Sequence, residues 1–218
     1  MSGRTSPVPS ARPRTPSGGV VQALPLDLGD DAALARAAAA RHPAAARVIW
    51  ERFAGLVRGL MRRIMGPAGD VDDLVQETFL QFFSHVHRLR DPSRLSSFVV
   101  GIAMRVARSE LRRRRVRRWL HLTDTGVAPD SAAPGPTDHA ARQALERLYA
   151  VLDRVDDRAR LAFVLRHVEG LELVEVAEAL GCSLATAKRR LGRCDRRVLA
   201  MARSEAALRP YLGEPCDE

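Results

Sequence analysis

The sequence predicts an all-α fold in which two small helical domains are joined by a flexible linker. Aromatic residues make up only 5% of the chain, while Ala, Leu, Arg and Glu, which favour helices, are abundant. Apolar residues recur at helical spacing on both sides of residues 119–139, a segment with three prolines and two glycines. The sequence contains no run of 18 apolar residues, so no membrane insertion is expected.

The chain is predicted to divide into five parts. Residues 1–30 are rich in Pro, Ser, Gly and Arg, a composition that predicts a disordered N-terminal extension. A first helical domain at 31–118 is followed by the linker at 119–139, a second helical domain at 140–203 and a C-terminal tail at 204–218. The N-terminus lacks the apolar stretch of a secretory signal, so we expect a cytoplasmic protein.

The first domain contains an amphipathic helix that ends at Gly66-Pro67, a pair that stops helices. Its apolar positions are Ile49, Phe53, Leu56, Val57, Leu60 and Ile64. Asp70 is then predicted to cap the following helix, with Asp73 three residues later in an arrangement that resembles a capping box.

That following helix has an apolar side and an acidic side. The side predicted to face the core carries Val71, Leu74, Val75, Thr78, Phe79, Phe82 and Phe83. The outward side carries Asp70, Asp72, Asp73, Gln76, Glu77 and Gln81. Acids in a first turn favour the helix dipole by about 0.3–1 kcal/mol each, which accounts for Asp72 and Asp73 but less well for Glu77. Dipole stabilisation and a partner-docking face are both open interpretations of these residues.

A long, arginine-rich helix follows the polar segment 85–94. Its predicted buried stripe is Leu95, Phe98, Val99, Ile102 and Val106. A different side carries Arg105, Arg108, Arg112 and Arg115. Residues 104–118 hold eight arginines, more than the capping of a helix C-terminus requires, so phosphate contact is the better explanation.

Residues 172–197 predict a helix–turn–helix. Leu173, Val176, Ala177 and Leu180 share one helix face, Gly181 ends that helix, and Ser183 caps the next. The second helix is expected to bury Leu184, Ala187, Leu191, Cys194 and Val198. Its other sides carry Thr186, Lys188, Arg189, Arg190, Arg193, Arg196 and Arg197. Such a helix suits the DNA major groove; the alternative is a helical hairpin whose basic face is only solvated.

The net charge of +9 is concentrated in two places. Eight arginines against Glu110 give +7 over residues 104–118, and six basic residues against Asp195 give +5 over residues 184–197. The rest of the chain therefore carries −3. Two basic patches on a mildly acidic body indicate a polyanionic partner, most simply nucleic acid. A membrane-surface helix fits poorly, because neither stretch has an apolar face rich in Trp, Phe or Leu.

The sequence shows no residue set for covalent catalysis, a metal or a cofactor. It has no Gly-rich phosphate loop, its six histidines are scattered, and its three cysteines have no second ligand at zinc spacing. We therefore expect no enzyme activity, no metal and no cofactor, and we expect Cys194 to be a buried core thiol.

Two segments together resemble a known family. The stretch DVDDLVQETFLQFF, which begins at Asp70, resembles region 2.2 of bacterial RNA polymerase sigma factors, and the arginine-rich helix is similar to regions 2.3–2.4. Residues 140–203 resemble region 4. With no third domain between these segments and no long N-terminal domain, the chain resembles an extracytoplasmic-function (ECF) sigma factor of the sigma-70 family.

The resemblance implies a function and the residues that perform it. Sigma factors bind core RNA polymerase and direct promoter-specific initiation by recognising the minus-35 element and melting the minus-10 element. Docking on the clamp coiled coil of the largest polymerase subunit is implied for Asp73, Gln76 and Glu77. Minus-10 binding is implied for Arg94, Ser97, Phe98, Arg105, Arg108 and Arg112. Minus-35 binding is implied for Thr186, Lys188, Arg189, Arg190 and Arg193. An anti-sigma factor is implied as a further partner.

Four positions depart from the family's usual residues. Phe98 stands where Trp is usual and Arg105 where Asn is usual, both near the strand that is melted. Arg189 replaces a common Ser and Asp195 a common Arg in the minus-35 helix. The promoter sequence therefore cannot be copied from a relative. The place of Phe98 in the apolar stripe favours a core role over stacking on a DNA base.

Two other function classes remain open from the residues alone. A helix–turn–helix regulator that binds DNA as a dimer without polymerase would leave the acidic side of 70–81 unused. A sigma mimic that only sequesters a partner would not need the arginine-rich helix.

The length of the linker offers a physical check on the sigma interpretation. The two promoter elements lie about 50–70 Å apart at ~34–36 Å per DNA turn. The 21 linker residues reach ~70 Å when extended but average only about 25 Å as a free coil. The two domains therefore reach both elements only when a scaffold such as polymerase stretches the linker.

Overall fold

The computed structural model describes residues 30–67, 71–120 and 139–212, and every regular element in these ranges is helical. Four helices form the first domain: α1 (Asp31–Ala39), α2 (Pro43–Met65), α3 (Asp72–His85) and α4 (Leu95–Trp119). Four more form the second domain: α5 (His139–Leu152), α6 (Asp157–Phe163), α7 (Leu173–Ala179) and α8 (Leu184–Ser204). The all-α prediction is confirmed. The predicted disordered extension at 1–30, apart from Asp30, lies outside the described residues, and so does most of the predicted linker.

Local signals set the ends of the first two helices. Asp30 caps α1 by accepting a hydrogen bond from the Ala32 N–H at 2.9 Å. Pro43 occupies the first turn of α2, where its missing N–H costs nothing. Helix α2 ends at Gly66, whose φ of 81° lies in the left-handed region that favours glycine, as the Gly-Pro pair predicts.

Helices α2, α3 and α4 pack against one another around an apolar core. Phe82 of α3 is fully buried and meets the ring of Phe98 edge-on at 6.0 Å. Three residues expected inside are instead exposed: Leu56 at 43%, Phe83 at 37% and Leu184 at 48%. Each lies at the margin of an apolar stripe, where helical periodicity alone does not define the edge of the buried face.

Helix α3 begins one residue later than predicted. Its N-cap residue is Val71, which makes no side-chain capping bond and is itself buried, while Asp70 lies outside the described residues. The predicted N-cap position, Asp70, is therefore one residue too early, and the capping box that involves its side chain stays a prediction. Burial of Val71 in the core fixes the chain at the start of the helix.

The polar segment before α4 folds into two short 3₁₀ turns, at Val86–Arg88 and Pro92–Arg94. The Asp91 carboxylate caps the second turn, accepting bonds from the Ser93 amide at 3.0 Å and the Ser93 hydroxyl at 2.6 Å. These bonds lower the pKa of Asp91. The turns deliver Arg94 and the N-terminus of α4 to the surface.

The second domain contains the predicted helix–turn–helix. Gly181 has a φ of 59° between α7 and α8, and the Ser183 hydroxyl accepts a bond from the Thr186 amide at 3.3 Å, so both predicted helix-end signals are confirmed. Helix α6 continues into a π-helical turn at Val164–Val168. After α8 the chain folds back, and Leu208 is buried beside Val198 and Ala202 of α8.

The two domains pack against each other. Helices α6 and α7 contact α4, and the π-helical turn contacts α2. The apolar core of the first domain is continuous with residues of the second, namely Leu161, Ala162, Val164, Leu165, Val176 and Leu191. From the sequence, the two domains are predicted to be separate units joined by a linker. No pattern in the sequence indicates that they are in contact. None of the helices in the described ranges is long and apolar enough to cross a membrane.

Candidate nucleic-acid and partner interfaces

The acidic surface lies on α3. Asp73, Gln76 and Glu77 are exposed, and their spacing of three and four residues places them on one helix face. Glu77 accepts a hydrogen bond from the Gln81 amide at 2.7 Å, while Asp72 lies to one side and pairs with Arg58 at 3.0 Å. The three residues implied for polymerase docking therefore form one solvent-facing surface.

An apolar patch borders this acidic face, and sequence reasoning missed it. Leu80 is 58% exposed and continues the face one turn beyond Glu77. Exposed Phe83 lies one turn beyond Leu80, and the half-exposed ring of Trp50 of α2 packs at a tilt against the Phe79 ring, with centroids 4.7 Å apart. Leu80 follows Asp73 and Glu77 at helical spacing, so listing the apolar residues on the outward face of α3 would have identified it.

The arginine surface lies on α4 and the turn before it. Arg94, Ser97, Arg105, Arg108 and Arg112 are exposed. Phe98 is half-buried: one side packs on Phe82, and another lines a cavity. The predicted core role of Phe98 is therefore correct for the side of the ring that packs on Phe82, while the side that lines the cavity is not in the core.

A cavity of about 640 Å³ lies between the two domains beside α4. Its first-domain wall holds five of the six residues implied for minus-10 binding, Arg94, Ser97, Phe98, Arg105 and Arg108. The opposite wall belongs to the second domain and includes Arg158 and Leu161 of α6 and the segment from Glu178 to Gly181. The helix–turn–helix itself therefore faces the arginine surface.

One side of α8, next to its buried stripe, is polar and basic. Thr186, Arg189, Arg190 and Arg193 follow one another at i, i+3, i+4 and i+7, and Arg197 continues the stripe. Lys188, also exposed, lies about 150° around the helix from this stripe at ~100° per residue. Four of the five residues implied for minus-35 binding thus share one face. Lys188 lies on the opposite side of the helix, a position that suits contact with a phosphate better than contact with a base.

Two residues at the contact between domains escaped sequence reasoning. Arg160 is only 2% exposed, and Tyr149 is half-buried beside it. Both cap the end of α2 in the other domain: Arg160 donates to the carbonyl of Ile64, and the Tyr149 hydroxyl donates to that of Arg63. A lone arginine in an amphipathic stretch gives no signal that it is buried, because the groups that satisfy it lie 96 residues away in the chain.

Cys194 is buried, as predicted, and burial raises the pKa of its thiol to about 12. It is therefore a packing residue and not a nucleophile at neutral pH. Across the described ranges, His, Cys, Asp and Glu form no group of three that could hold a metal ion.

Comparisons with known proteins match both domains. Residues 49–117 match the family model "Sigma-70 region 2", and residues 145–193 match "Sigma-70, region 4". The ferric citrate uptake sigma factor FecI of Escherichia coli is 31% identical over 138 residues, which cover 62% of this chain and 78% of FecI. The sigma factor CnrH of Cupriavidus metallidurans is 34% identical over 145 residues, 62% of this chain and 74% of CnrH.

Solved structures show the same fold. CnrH in complex with the cytosolic domain of CnrY superposes with a TM-score of 0.56 at 24% identity, covering 81% of this chain and 99% of that chain. The sigma factor RpoE of Bartonella quintana, in complex with the anti-sigma factor NepR, superposes with a TM-score of 0.50 at 21% identity, covering 72% of this chain and 95% of that chain.

Proposed function

The chain belongs to the ECF sigma factors of the sigma-70 family. We propose that one of its three charged surfaces binds polymerase and that the other two bind promoter DNA. The protein is a transcription initiation factor that binds core RNA polymerase and directs initiation at specific promoters. The acidic face of α3 docks on polymerase, the arginine surface of α4 binds the minus-10 element, and α8 binds the minus-35 element.

The polymerase-docking assignment is supported by the exposure and charge of α3. Asp73, Gln76 and Glu77 offer two carboxylates and an amide to solvent on one face. Leu80 adds an exposed apolar contact in line with them. A polar, charged rim beside an apolar residue is the usual composition of a specific protein interface. The clamp coiled coil of the largest subunit is the proposed partner.

The minus-10 assignment is supported by the positive charge of α4 and the position of Phe98. Arg105, Arg108 and Arg112 are exposed and positively charged, as phosphate binding requires. Unstacking a base costs a few kcal/mol. Stacking on an aromatic ring returns about 1–3 kcal/mol, and the exposed part of Phe98 is available for this.

Several finer properties belong to the same proposal. The protein works by binding energy alone and makes no covalent intermediate, so it is not an enzyme, and it acts in the cytoplasm where polymerase is found. CnrH and the Bartonella sigma factor were solved with CnrY and with the anti-sigma factor NepR. An anti-sigma factor is therefore proposed as a partner of this chain as well.

The observation that carries the proposal is the joint presence of an exposed acidic α3 and two basic surfaces in one chain. A dimeric helix–turn–helix regulator needs only α8, and a sigma mimic needs only α3. Run-off transcription with core polymerase and a promoter library is expected to yield discrete transcripts only when this protein is added. Failure to bind core polymerase, or binding without initiation on any sequence, would contradict the assignment.

Replacing Arg193 with Ala is expected to reduce initiation about tenfold at promoters that depend on the minus-35 element. The side chain is exposed in the middle of the α8 stripe, and one good arginine–base contact is worth about 1–3 kcal/mol. Transcript yield from a matched pair of promoters, one with the minus-35 element and one without it, measures the effect. Arg203→Ala, at the far end of α8, is the control. An equal loss on both promoters would remove Arg193 from the set of reading residues.

A further inference from the structure

We propose that Trp119, the last residue of α4, is a stacking site for a base of single-stranded DNA, beyond the residues assigned to the minus-10 element. This inference rests on the proposed function in one respect, the assignment of the arginine surface to a melted strand. It adds a contact that those residues do not provide, because Trp119 lies about two helical turns past Arg112.

The Trp119 ring is left almost entirely outside the core. It is 79% exposed, whereas Trp50, the other tryptophan of the chain, is 42% exposed and packs against the Phe79 ring. Within the described ranges, no aromatic ring packs against that of Trp119. A large ring in this position contributes little to the core and offers its face to a ligand.

The side of α4 that carries Trp119 also carries three arginines of the arginine surface. The helix is continuous from Leu95 to Trp119. At ~100° per residue, Arg112 and Arg108 each lie about 20° from Trp119 around the helix axis. Arg105 lies about 40° away. At ~1.5 Å per residue, the ring lies ~10 Å along the axis from Arg112 and ~21 Å from Arg105, so it continues the row of arginines.

The arginines of this row are not neutralised by the part of the chain that the structure describes. Four other arginines of α4 pair with carboxylates at 2.8 to 3.1 Å: Arg114 and Arg117 with Glu110, Arg115 with Asp157, and Arg118 with Asp153. No described carboxylate pairs with Arg105, Arg108 or Arg112. Their positive charge is therefore available to an external anion, and the phosphates of a nucleic acid match a row of such charges.

A row of unpaired arginines that ends in an exposed aromatic ring suits a single strand. The arginines hold the backbone, and the ring stacks on a base whose face is free. In a duplex the bases stack on one another, so their faces become available only after melting. A membrane-surface helix would need a continuous apolar face, and on this side of α4 the arginines at 105, 108 and 112 interrupt it.

Trp119 and Phe98 cannot contact the same base. They lie 21 residues apart in one helix, which places them ~31 Å apart along its axis. Phe98 lines the cavity between the domains, and Trp119 does not. The proposed site therefore takes a second base, farther along the strand that the arginines hold.

The first test uses the fluorescence of Trp119 in the full-length chain. Trp50→Phe leaves Trp119 as the only indole and keeps an aromatic ring beside Phe79. At low salt, a deoxythymidine strand of about 16 nucleotides, the upper end of the usual site size, should quench the emission until the site is saturated. The same strand in a duplex should quench it less. Bound single strand without quenching would overturn the proposal.

The second test separates stacking from charge. Trp119→Ala is expected to weaken binding of this strand about 5- to 150-fold, the range for loss of one stacked base. Trp119→Phe keeps a ring and should retain most of the affinity. The slope of log affinity against log salt should not change in Trp119→Ala, and it should fall by about 0.7 in Arg112→Ala. Tyr211→Ala removes another exposed ring, outside α4, and should bind like the parent.

An abasic strand of the same length is the control for misfolding, because it carries the phosphates without the bases. The parent and Trp119→Ala should bind it equally, since it offers nothing to stack. An equal loss of affinity for the abasic and the normal strand would show that Trp119 acts through the fold, and it would overturn the proposal.

Two further results would contradict a single-strand site. Equal quenching by the single strand and the duplex would assign the ring to double-stranded DNA. Phosphatidylserine vesicles that shift the Trp119 emission, when the single strand leaves it unchanged, would assign the ring to a lipid surface. These measurements contain no polymerase, so they can fail while run-off transcription succeeds, and the reverse.

Discussion

A chain that carries Asp73→Lys and Glu77→Lys is expected to bind core RNA polymerase at least about 100-fold more weakly while keeping its fold. Both carboxylates are exposed on one face of α3. Breaking one buried charge pair at an interface costs about 2–5 kcal/mol, and here two are reversed in sign. Titration of labelled protein with core polymerase, followed by fluorescence anisotropy, measures the loss.

The fold should survive this change because neither residue supports the core. Asp73 contributes at most a first-turn dipole interaction of about 0.3–1 kcal/mol, and Glu77 bonds to the side chain of half-buried Gln81 on the same helix. Glu51→Lys with Glu146→Lys is the matched control, since it makes the same change in net charge at exposed acids of α2 and α5. Unchanged polymerase binding in the α3 variant, or equal loss in the control, would contradict docking through this face.

Reversing two arginines of α4, as Arg105→Glu and Arg108→Glu, is expected to abolish promoter opening while polymerase binding is retained. Both side chains are exposed on the wall of the cavity beside Phe98. Removing one phosphate contact lowers the slope of log affinity against log salt by about 0.7–0.9, so the slope of the double variant should fall by roughly 1.4–1.8. Permanganate reactivity of unpaired thymines at the promoter measures opening.

The control for this variant is Arg142→Glu with Arg203→Glu, two exposed arginines of the second domain outside the stripe on α8. It changes the net charge equally and should open the promoter normally. If the α4 variant still opens the promoter, the arginine surface does not hold the melted strand. If polymerase binding falls as well, the loss of opening cannot be assigned to α4.

Much of the fold follows from local signals in the sequence. Gly66 and Gly181 end helices where predicted, and Ser183 caps α8, because each acts on its own neighbours in the chain. The N-cap of α3 was predicted one residue too early, at Asp70 instead of Val71, because the sequence does not show that Val71 is buried. Helix propensity and capping signals do not show where the core lies, so they do not decide which residue begins the helix.

The candidate surfaces were predictable to different degrees. Charged residues on α3, α4 and α8 repeat at helical spacing, so their common faces can be derived from the sequence. The contact between domains could not be derived. Arg160 and Ile64 lie 96 residues apart, and neither belongs to a periodic pattern that points to the other. A buried arginine and an exposed one look the same in a sequence.

The cap that the second domain places on α2 limits how far these domains can be treated as interchangeable parts. A chimera that keeps this first domain but takes its second domain from a relative would lose the bonds to Arg63 and Ile64, unless the new domain supplied its own tyrosine and arginine. In the reverse chimera, a first domain from a relative with a bulkier residue in place of Gly66 would clash with the Tyr149 ring. Engineers who recombine such factors to obtain new promoter specificities should therefore transfer Gly66, Tyr149 and Arg160 together.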